Sequence, residues 1–202
     1  MVHTLYSNYY EKKKVLEPVY YSNDTPDGNV YNQLIFKPFI ATLTMLIRFE
    51  LVIKYLDQHG KFIENWVVGD LPLKLFCAIE SKIKLLRIDT SVYRIREGSL
   101  THNINNLDTI NYYQGLTEIE TYFIKLYGIQ KESYSHFSAV VIKRNFYIGY
   151  LGQDRHQVLC NFRLMKNKTL KDYAILLYIH SRIIRIPLDF IIQWWKKRIR
   201  KW

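Results

Sequence analysis

The sequence predicts an α+β fold: an antiparallel sheet of about five or six strands, with one helix inserted early and two helices at the C-terminus. Three features predict it. One long segment alternates with period two, a later segment has apolar residues at helical spacing, and the remaining strand-forming and helix-forming segments are segregated along the chain. Such segregation favours α+β over a parallel βαβ arrangement.

Residues 39–56 carry the clearest alternation. The odd positions are uniformly apolar and the even positions are mixed, which predicts a strand with one buried face. Asp57–Gly60 then reads as a turn, and Phe62–Val68 as an antiparallel partner. The apolar odd positions are Leu43, Met45, Ile47, Phe49, Leu51, Ile53 and Tyr55.

A helix is predicted after Asp70, whose side chain could cap it. One apolar face at 3.6-residue spacing consists of Phe76, Ile79, Ile83 and Leu86. Val92–Arg96 is a candidate short strand, and residues 97–117 are rich in Asn, Thr and Gly, which predicts an irregular connection.

The remaining sheet is expected from four segments with many β-forming residues: 118–127, 137–143, 145–151 and 157–165. Thr169 can cap a helix over about 170–185, which Pro187 ends or kinks. A last helix from about 188 would carry an apolar stripe: Leu188, Ile191, Ile192, Trp195, Ile199 and Trp202.

The domain organisation expected is a Tyr-rich, basic arm over residues 1–33, followed by one α+β domain over 34–202 that ends in a basic amphipathic helix. Cys77 and Cys160 are the two cysteines, which is no disulfide framework. Residues 1–14 lack the apolar stretch of a signal peptide, and apolar runs elsewhere are too short to span a bilayer. We therefore expect an intracellular protein, cytoplasmic or membrane-peripheral, that is not secreted and has no transmembrane segment.

Positive charge is concentrated near the C-terminus. The net charge is +11, with +2 on residues 1–160 and +9 on residues 161–202. This asymmetry indicates a polyanionic partner, which could be nucleic acid, an anionic membrane or an acidic protein.

Catalytic and metal-binding motifs are not found in the sequence. It has neither a P-loop nor a Gly-x-Ser-x-Gly elbow. His156 and Cys160, placed on a strand, are too far apart for one metal ion. Glu118 and Glu120 read as an exposed surface pair, and the segment 98–102 as a turn. No cofactor and no metal are expected.

The strongest candidate binding site is the basic, Trp-rich C-terminus. Its cations would meet lipid headgroups or nucleic-acid phosphates, and its indoles would lie at the membrane interface or stack on bases. The alternative is that the apolar stripe docks on the sheet and only the cations face water. The candidate residues are Trp194, Trp195, Lys196, Lys197, Arg198, Arg200, Lys201 and Trp202, with a second basic cluster at Lys12, Lys13 and Lys14.

The layout resembles that of rhabdovirus matrix proteins, in which a short basic arm precedes an α+β core. Lys12–Lys14 would be the arm, and residues 16–21 (Leu-Glu-Pro-Val-Tyr-Tyr) resemble the family's Pro-Pro-x-Tyr motif, with Glu17 at its first proline. Phe39–Tyr55 resembles the first core strand, and Phe146–Gly149 with Val158–Leu164 a late hairpin. A second resemblance, of Arg96–Thr101 to the Gly-Ser-x-Thr segment of chorismate-lyase-like plastid proteins, implies a lyase-like enzyme.

The function expected first is a non-enzymatic, matrix-like or accessory binding protein that contacts anionic membrane or nucleoprotein through its C-terminus. An RNA-binding protein of organellar ribosomal type is the second expectation, and a lyase-like α+β enzyme is the third. Self-association is compatible with each.

Overall fold

A computed structural model describes residues 1–18, 25–96 and 106–180. It confirms the α+β class, and the chain divides into two compact units, residues 1–137 and 138–202. The described strands are β1 (Val2–Tyr10), β2 (Val15–Pro18), β3 (Met45–Leu46) and β4 (Lys84–Ile95). The described α-helices are α1 (Tyr31–Leu34), α2 (Phe49–Ile63), α3 (Asp70–Glu80), α4 (Asn106–Tyr127), α5 (Lys131–Leu151), α6 (Arg155–Leu164) and α7 (Leu170–His180).

The sheet is built around β1. This strand pairs antiparallel with β2 and β3 and parallel with β4, with register shifts between Thr4 and Tyr6. Part of the segment expected to form an arm is therefore the central strand of the sheet. Its Val, Thr and Tyr residues suit a strand, and His3, Thr4 and Ser7 are buried in it.

The strand predicted over residues 39–56 is wrong. Only Met45–Leu46 forms a strand, β3, while Thr42–Thr44 is a short 3-10 helix and α2 begins at Phe49. Several even-numbered positions of this segment are apolar as well as the odd-numbered ones, so the alternation is incomplete. Tyr55 and His59, one helical turn apart, are buried, whereas Phe49 and Ile53 are exposed. The predicted partner strand, Phe62–Val68, begins inside α2.

The helix predicted after Asp70 is confirmed as α3, which ends at Glu80. Ile83 and Leu86, assigned to the same helical face, instead lie at the bridge with Gly28 and in β4. The short strand predicted at 92–96 is the end of β4, which is twelve residues long.

The four strands predicted between residues 118 and 165 are also wrong, because this region forms α4, α5 and α6. Leu116, Ile119, Glu120 and Phe123 recur at helical spacing on the buried side of α4. Packing on that side outweighs the β-preference of the aromatic residues. The helix predicted from Thr169 is confirmed as α7 up to His180, and the last predicted helix lies outside the described residues.

Each unit has its own apolar core. In the first unit, α2, α3 and α4 surround Tyr55, Leu75, Phe76, Ile119 and Phe123. The second unit's core consists of Phe146, Val158, Phe162, Met165, Ile175 and Ile179, from α5, α6 and α7 and the connection before α7. Among the described helices, none has both the length and the apolar character to cross a bilayer.

Candidate anion-binding surface

The C-terminal residues predicted to bind a polyanion lie outside the described part of the chain. These residues are Trp194, Trp195, Lys196, Lys197, Arg198, Arg200, Lys201 and Trp202. The hydroxyl-bearing segment 98–102 lies outside it as well.

The second predicted cluster, Lys12–Lys14, is the turn that joins β1 to β2. All three lysines are exposed, and Lys14 has a positive φ of 54°. The Lys13 ammonium lies 6.0 Å from the centre of the Tyr10 ring. Next to this turn, Glu11 pairs with Arg94 of β4 at 2.5 Å, so an acidic side chain on this edge is already neutralised.

A stronger excess of positive charge lies in the second unit. Residues 138–180 contain seven Lys and Arg against Asp154 and Asp172, a net charge of +5. Both carboxylates already bind other groups of the protein. Asp154 caps α6 by accepting a hydrogen bond from the Gln157 N–H at 2.9 Å.

Asp172 is buried and closes the start of α7. Its carboxylate accepts hydrogen bonds from the Thr169 N–H and hydroxyl, both at 2.8 Å, while the Thr169 hydroxyl accepts from the Asp172 N–H at 3.3 Å. This reciprocal pattern is a capping box. The Lys143 ammonium of α5 lies 3.3 Å from the same carboxylate. Burial alone would raise the pKa of Asp172, but the hydrogen bonds from Thr169 and the charge of Lys143 lower it on balance.

Lys143 pairs with Asp172 and Arg144 is buried. The five other cations of residues 138–180 are together called the basic surface: Arg155, Arg163, Lys166, Lys168 and Lys171. Four of them are exposed and Lys168 is half-buried. In the described part of the chain, none of the five forms an ion pair. Lys168 and Lys171 instead lie over aromatic rings, at 5.2 Å from Phe162 and 5.4 Å from Tyr147. Their charge is therefore available to an external anion.

Two further pairs of candidate residues from the sequence lie on helices α6 and α4. His156 and Cys160 lie on α6 rather than on a strand, with Sγ 3.6 Å from Nε2. Within residues 1–18, 25–96 and 106–180, no group of three His, Cys, Asp or Glu is placed to hold a metal ion. Glu118 and Glu120 lie on α4, where Glu118 is exposed and Glu120 is buried, so they do not form a pair.

No sequence pattern predicts the buried lysine of the first unit. Lys74 of α3 is buried, and its ammonium donates to Asp70 at 2.6 Å and to Thr42 at 3.0 Å. Asp70 therefore binds Lys74 and Thr42 and does not cap α3, whose N-cap is Gly69. This group borders a shallow cleft of about 540 Å³ that Tyr6 and Tyr93 also line. Because ammonium and carboxylate neutralise each other, the cleft carries no net charge from this pair.

His59 is a second buried polar group that the sequence did not reveal. Its Nδ1 lies 3.1 Å from the Tyr122 hydroxyl and its Nε2 lies 3.2 Å from the Tyr127 hydroxyl. Phe76 and Phe123 also pack against the ring. A neutral imidazole has one donor and one acceptor nitrogen, so it suits two hydroxyl partners. Burial lowers the pKa of His59.

We expect this histidine to make the first unit less stable in mild acid. The imidazole stays neutral in the fold, whereas the unfolded chain takes up a proton below about pH 6.5. The unfolded state therefore binds more protons there, and the free energy of unfolding falls as pH drops below that value. NMR titration of the histidine ring protons should place the His59 midpoint below 6.5. A midpoint above 6.5 would contradict the buried neutral state.

Comparison with models of known protein families, with curated proteins and with solved structures finds no match for this chain.

Proposed function

We propose that this chain is a non-enzymatic binding protein, matrix-like or accessory in its role, that holds an anionic macromolecular surface through residues 138–202. The observation that carries the proposal is the basic surface. Its five cations have no carboxylate partners in the described residues, because Asp154 and Asp172 serve the fold. The tail predicted from the sequence would extend the same charge, since residues 181–202 add seven Lys and Arg and one Asp.

The expected partner is an anionic membrane or a nucleoprotein, met inside the cell. A basic residue near an anionic membrane contributes about 1 kcal/mol, and a basic residue on a nucleic-acid phosphate releases condensed counterions. In both cases binding must weaken as salt concentration rises. The sign and density of charge thus support an anionic partner.

Neutralising three exposed members of the basic surface tests the proposal. The variant Arg163→Gln/Lys166→Gln/Lys171→Gln removes about 3 kcal/mol of attraction, so we expect binding to anionic vesicles to weaken about 100-fold. Vesicle co-sedimentation at low and moderate salt measures it.

The matched control changes three exposed lysines of the first unit, Lys37, Lys61 and Lys125, to Gln. The same loss of net charge should then have a much smaller effect. If both triple variants bind alike, the basic surface is not the contact. A further chain ending at Pro187 separates the described surface from the tail that bears Lys196, Lys197, Arg198, Arg200 and Lys201.

RNA is the second candidate partner, supported by Lys171, which lies over the half-buried ring of Tyr147, and by an exposed tyrosine close to it in the chain. Single-stranded RNA binds to sites that combine cations with aromatic faces, and Tyr173 is an exposed aromatic residue near Lys171 and Lys168. Filter binding of an unstructured RNA across a salt series tests it. Affinity that does not change with salt would reject this candidate.

A further inference from the structure

Helix α7 is apolar on two opposite faces. Ile175 and Ile179 are buried in the core of the second unit, on the same side as the buried Asp172. The opposite side has Leu170, Tyr173 and Leu177, at positions i, i+3 and i+7. A helix that folds against a single core normally has polar residues on its outer side. The outer face of α7 therefore has the character of a second contact surface.

This outer face is open to solvent. Leu170 is 90% exposed, Leu177 55% and Tyr173 48%, and Leu164 at the end of α6 is 62% exposed. The rings of Phe162 and Tyr173 lie 5.1 Å apart, so the end of α6 is held next to the start of α7. We call these four exposed residues, Leu164, Leu170, Tyr173 and Leu177, the apolar corner.

Cations flank the apolar corner. Arg163 precedes Leu164, Lys166 and Lys168 lie in the connection between the helices, and Lys171 follows Leu170. Both carboxylates of residues 138–180 are held by other groups, as described above. Exposed leucines with cations next to them in the chain match the two layers of an anionic bilayer surface: acyl chains beneath, and charged headgroups above them.

We propose that the apolar corner inserts into the headgroup and upper acyl region of an anionic membrane, with Leu170 as its deepest residue. This inference rests on the proposed function and selects lipid among the anionic partners. RNA would satisfy the cations but would leave the leucines in water. A second copy of the chain would cover the leucines but bring four cations against four others, which is repulsive. The described part of α7 is eleven residues and about 16 Å long, which suits a helix that lies in the plane of the interface.

The test replaces two leucines of the corner in the full chain, as Leu170→Gln/Leu177→Gln. Vesicles of phosphatidylcholine alone, and with about one-third phosphatidylserine, are the probes. We expect binding to the anionic vesicles to weaken about tenfold or more, because the leucines lose apolar burial while every cation is kept. The matched control is Leu107→Gln/Leu126→Gln, two exposed leucines of α4 in the first unit, and it should bind like the unmodified chain.

A fluorescence measurement that depends on depth in the bilayer distinguishes insertion from binding at the surface. In a chain carrying Cys160→Ser, Leu170→Cys is labelled with an environment-sensitive dye, since Cys77 is buried. We expect a blue shift of its emission with anionic vesicles. The same label at Leu107→Cys should show none.

The outcomes separate this inference from the proposed function. Salt-sensitive vesicle binding that is equal in both leucine variants, with no blue shift, would overturn insertion and leave the charge-based function standing. Binding to RNA but not to vesicles would overturn insertion in the same way. If Leu170→Gln/Leu177→Gln turns a dimer into a monomer in light scattering without changing vesicle binding, the corner is a self-association surface and insertion is again overturned. Binding to neither probe would remove the proposed function itself.

Discussion

Phe123→Ala is expected to lower the free energy of unfolding of the first unit by about 3–5 kcal/mol, the range for removing a buried aromatic side chain. Phe123 of α4 is fully buried. Its ring lies 5.5 Å from His59, 5.8 Å from Tyr127 and 6.3 Å from Trp66. The substitution leaves a cavity beside the His59 ring and loosens the packing that excludes water from this histidine.

Denaturant unfolding followed by far-UV circular dichroism measures the loss, and hydrogen exchange of α4 localises it. The control is Leu126→Ala on the same helix, where the side chain is exposed and a change within about 0.5 kcal/mol is expected. Both substitutions place alanine in the same helix, and the change in helix propensity is only a few tenths of a kcal/mol, so the difference between them reports mainly packing. Equal effects would mean that α4 does not bury Phe123 as described.

The elements that could be predicted from the sequence have their determinants close together in the chain. The α3 helix is predicted by apolar residues that recur about once per helical turn, such as Phe76 and Ile79. The start of α7 follows from Thr169 with Asp172 three residues later, which is the capping-box spacing. Both signals lie within a few residues, so no knowledge of distant partners is needed.

The elements that could not be predicted depend on contacts far away in sequence. β1 is a strand because it pairs with β4, about eighty residues later, and this parallel pairing has no local signature. Residues 45–55 satisfy both a period of two and a helical period, and the burial of Tyr55 and His59 against α3 and α4 decides for the helix. The aromatic residues of α4 to α6 favour strands locally but pack at helical spacing here.

The candidate site shows the same division. The excess of positive charge toward the C-terminus is a property of composition, so the sequence predicts it directly. A cation can bind an external anion only if no carboxylate of the protein pairs with it. The partners of Asp154 and Asp172 are visible only in the folded structure. The exposure of Leu170 likewise cannot be predicted from the sequence, because leucine is among the residue types most often buried.

Asp172→Ala is expected to cost the second unit about 2–3 kcal/mol, because it removes the N-terminal cap of α7 and the hydrogen bonds of a buried carboxylate. The buried carboxylate holds the Thr169 N–H and hydroxyl and the Lys143 ammonium. Its removal breaks the capping box and leaves Lys143 without its counter-charge. Because α7 carries the apolar corner, the start of this helix should fray and vesicle binding should weaken with it. Hydrogen exchange of residues 169–175 measures the fraying, denaturant unfolding measures the loss of stability, and vesicle co-sedimentation measures the binding.

Two matched variants show which property of Asp172 matters. Asp172→Asn keeps an oxygen that can accept from Thr169 but loses the charge, so its cost should be smaller than that of alanine. Asp154→Ala removes an exposed cap from α6 and should cost only about 1 kcal/mol. The pKa of Asp172 is lowered in the fold, so its contribution is present above about pH 4 and is lost as pH falls below that value. Asp172→Ala should therefore lose less stability than the unmodified chain on acidification. An identical decline in both would mean that the Asp172 carboxylate is not ionised and paired in the native state.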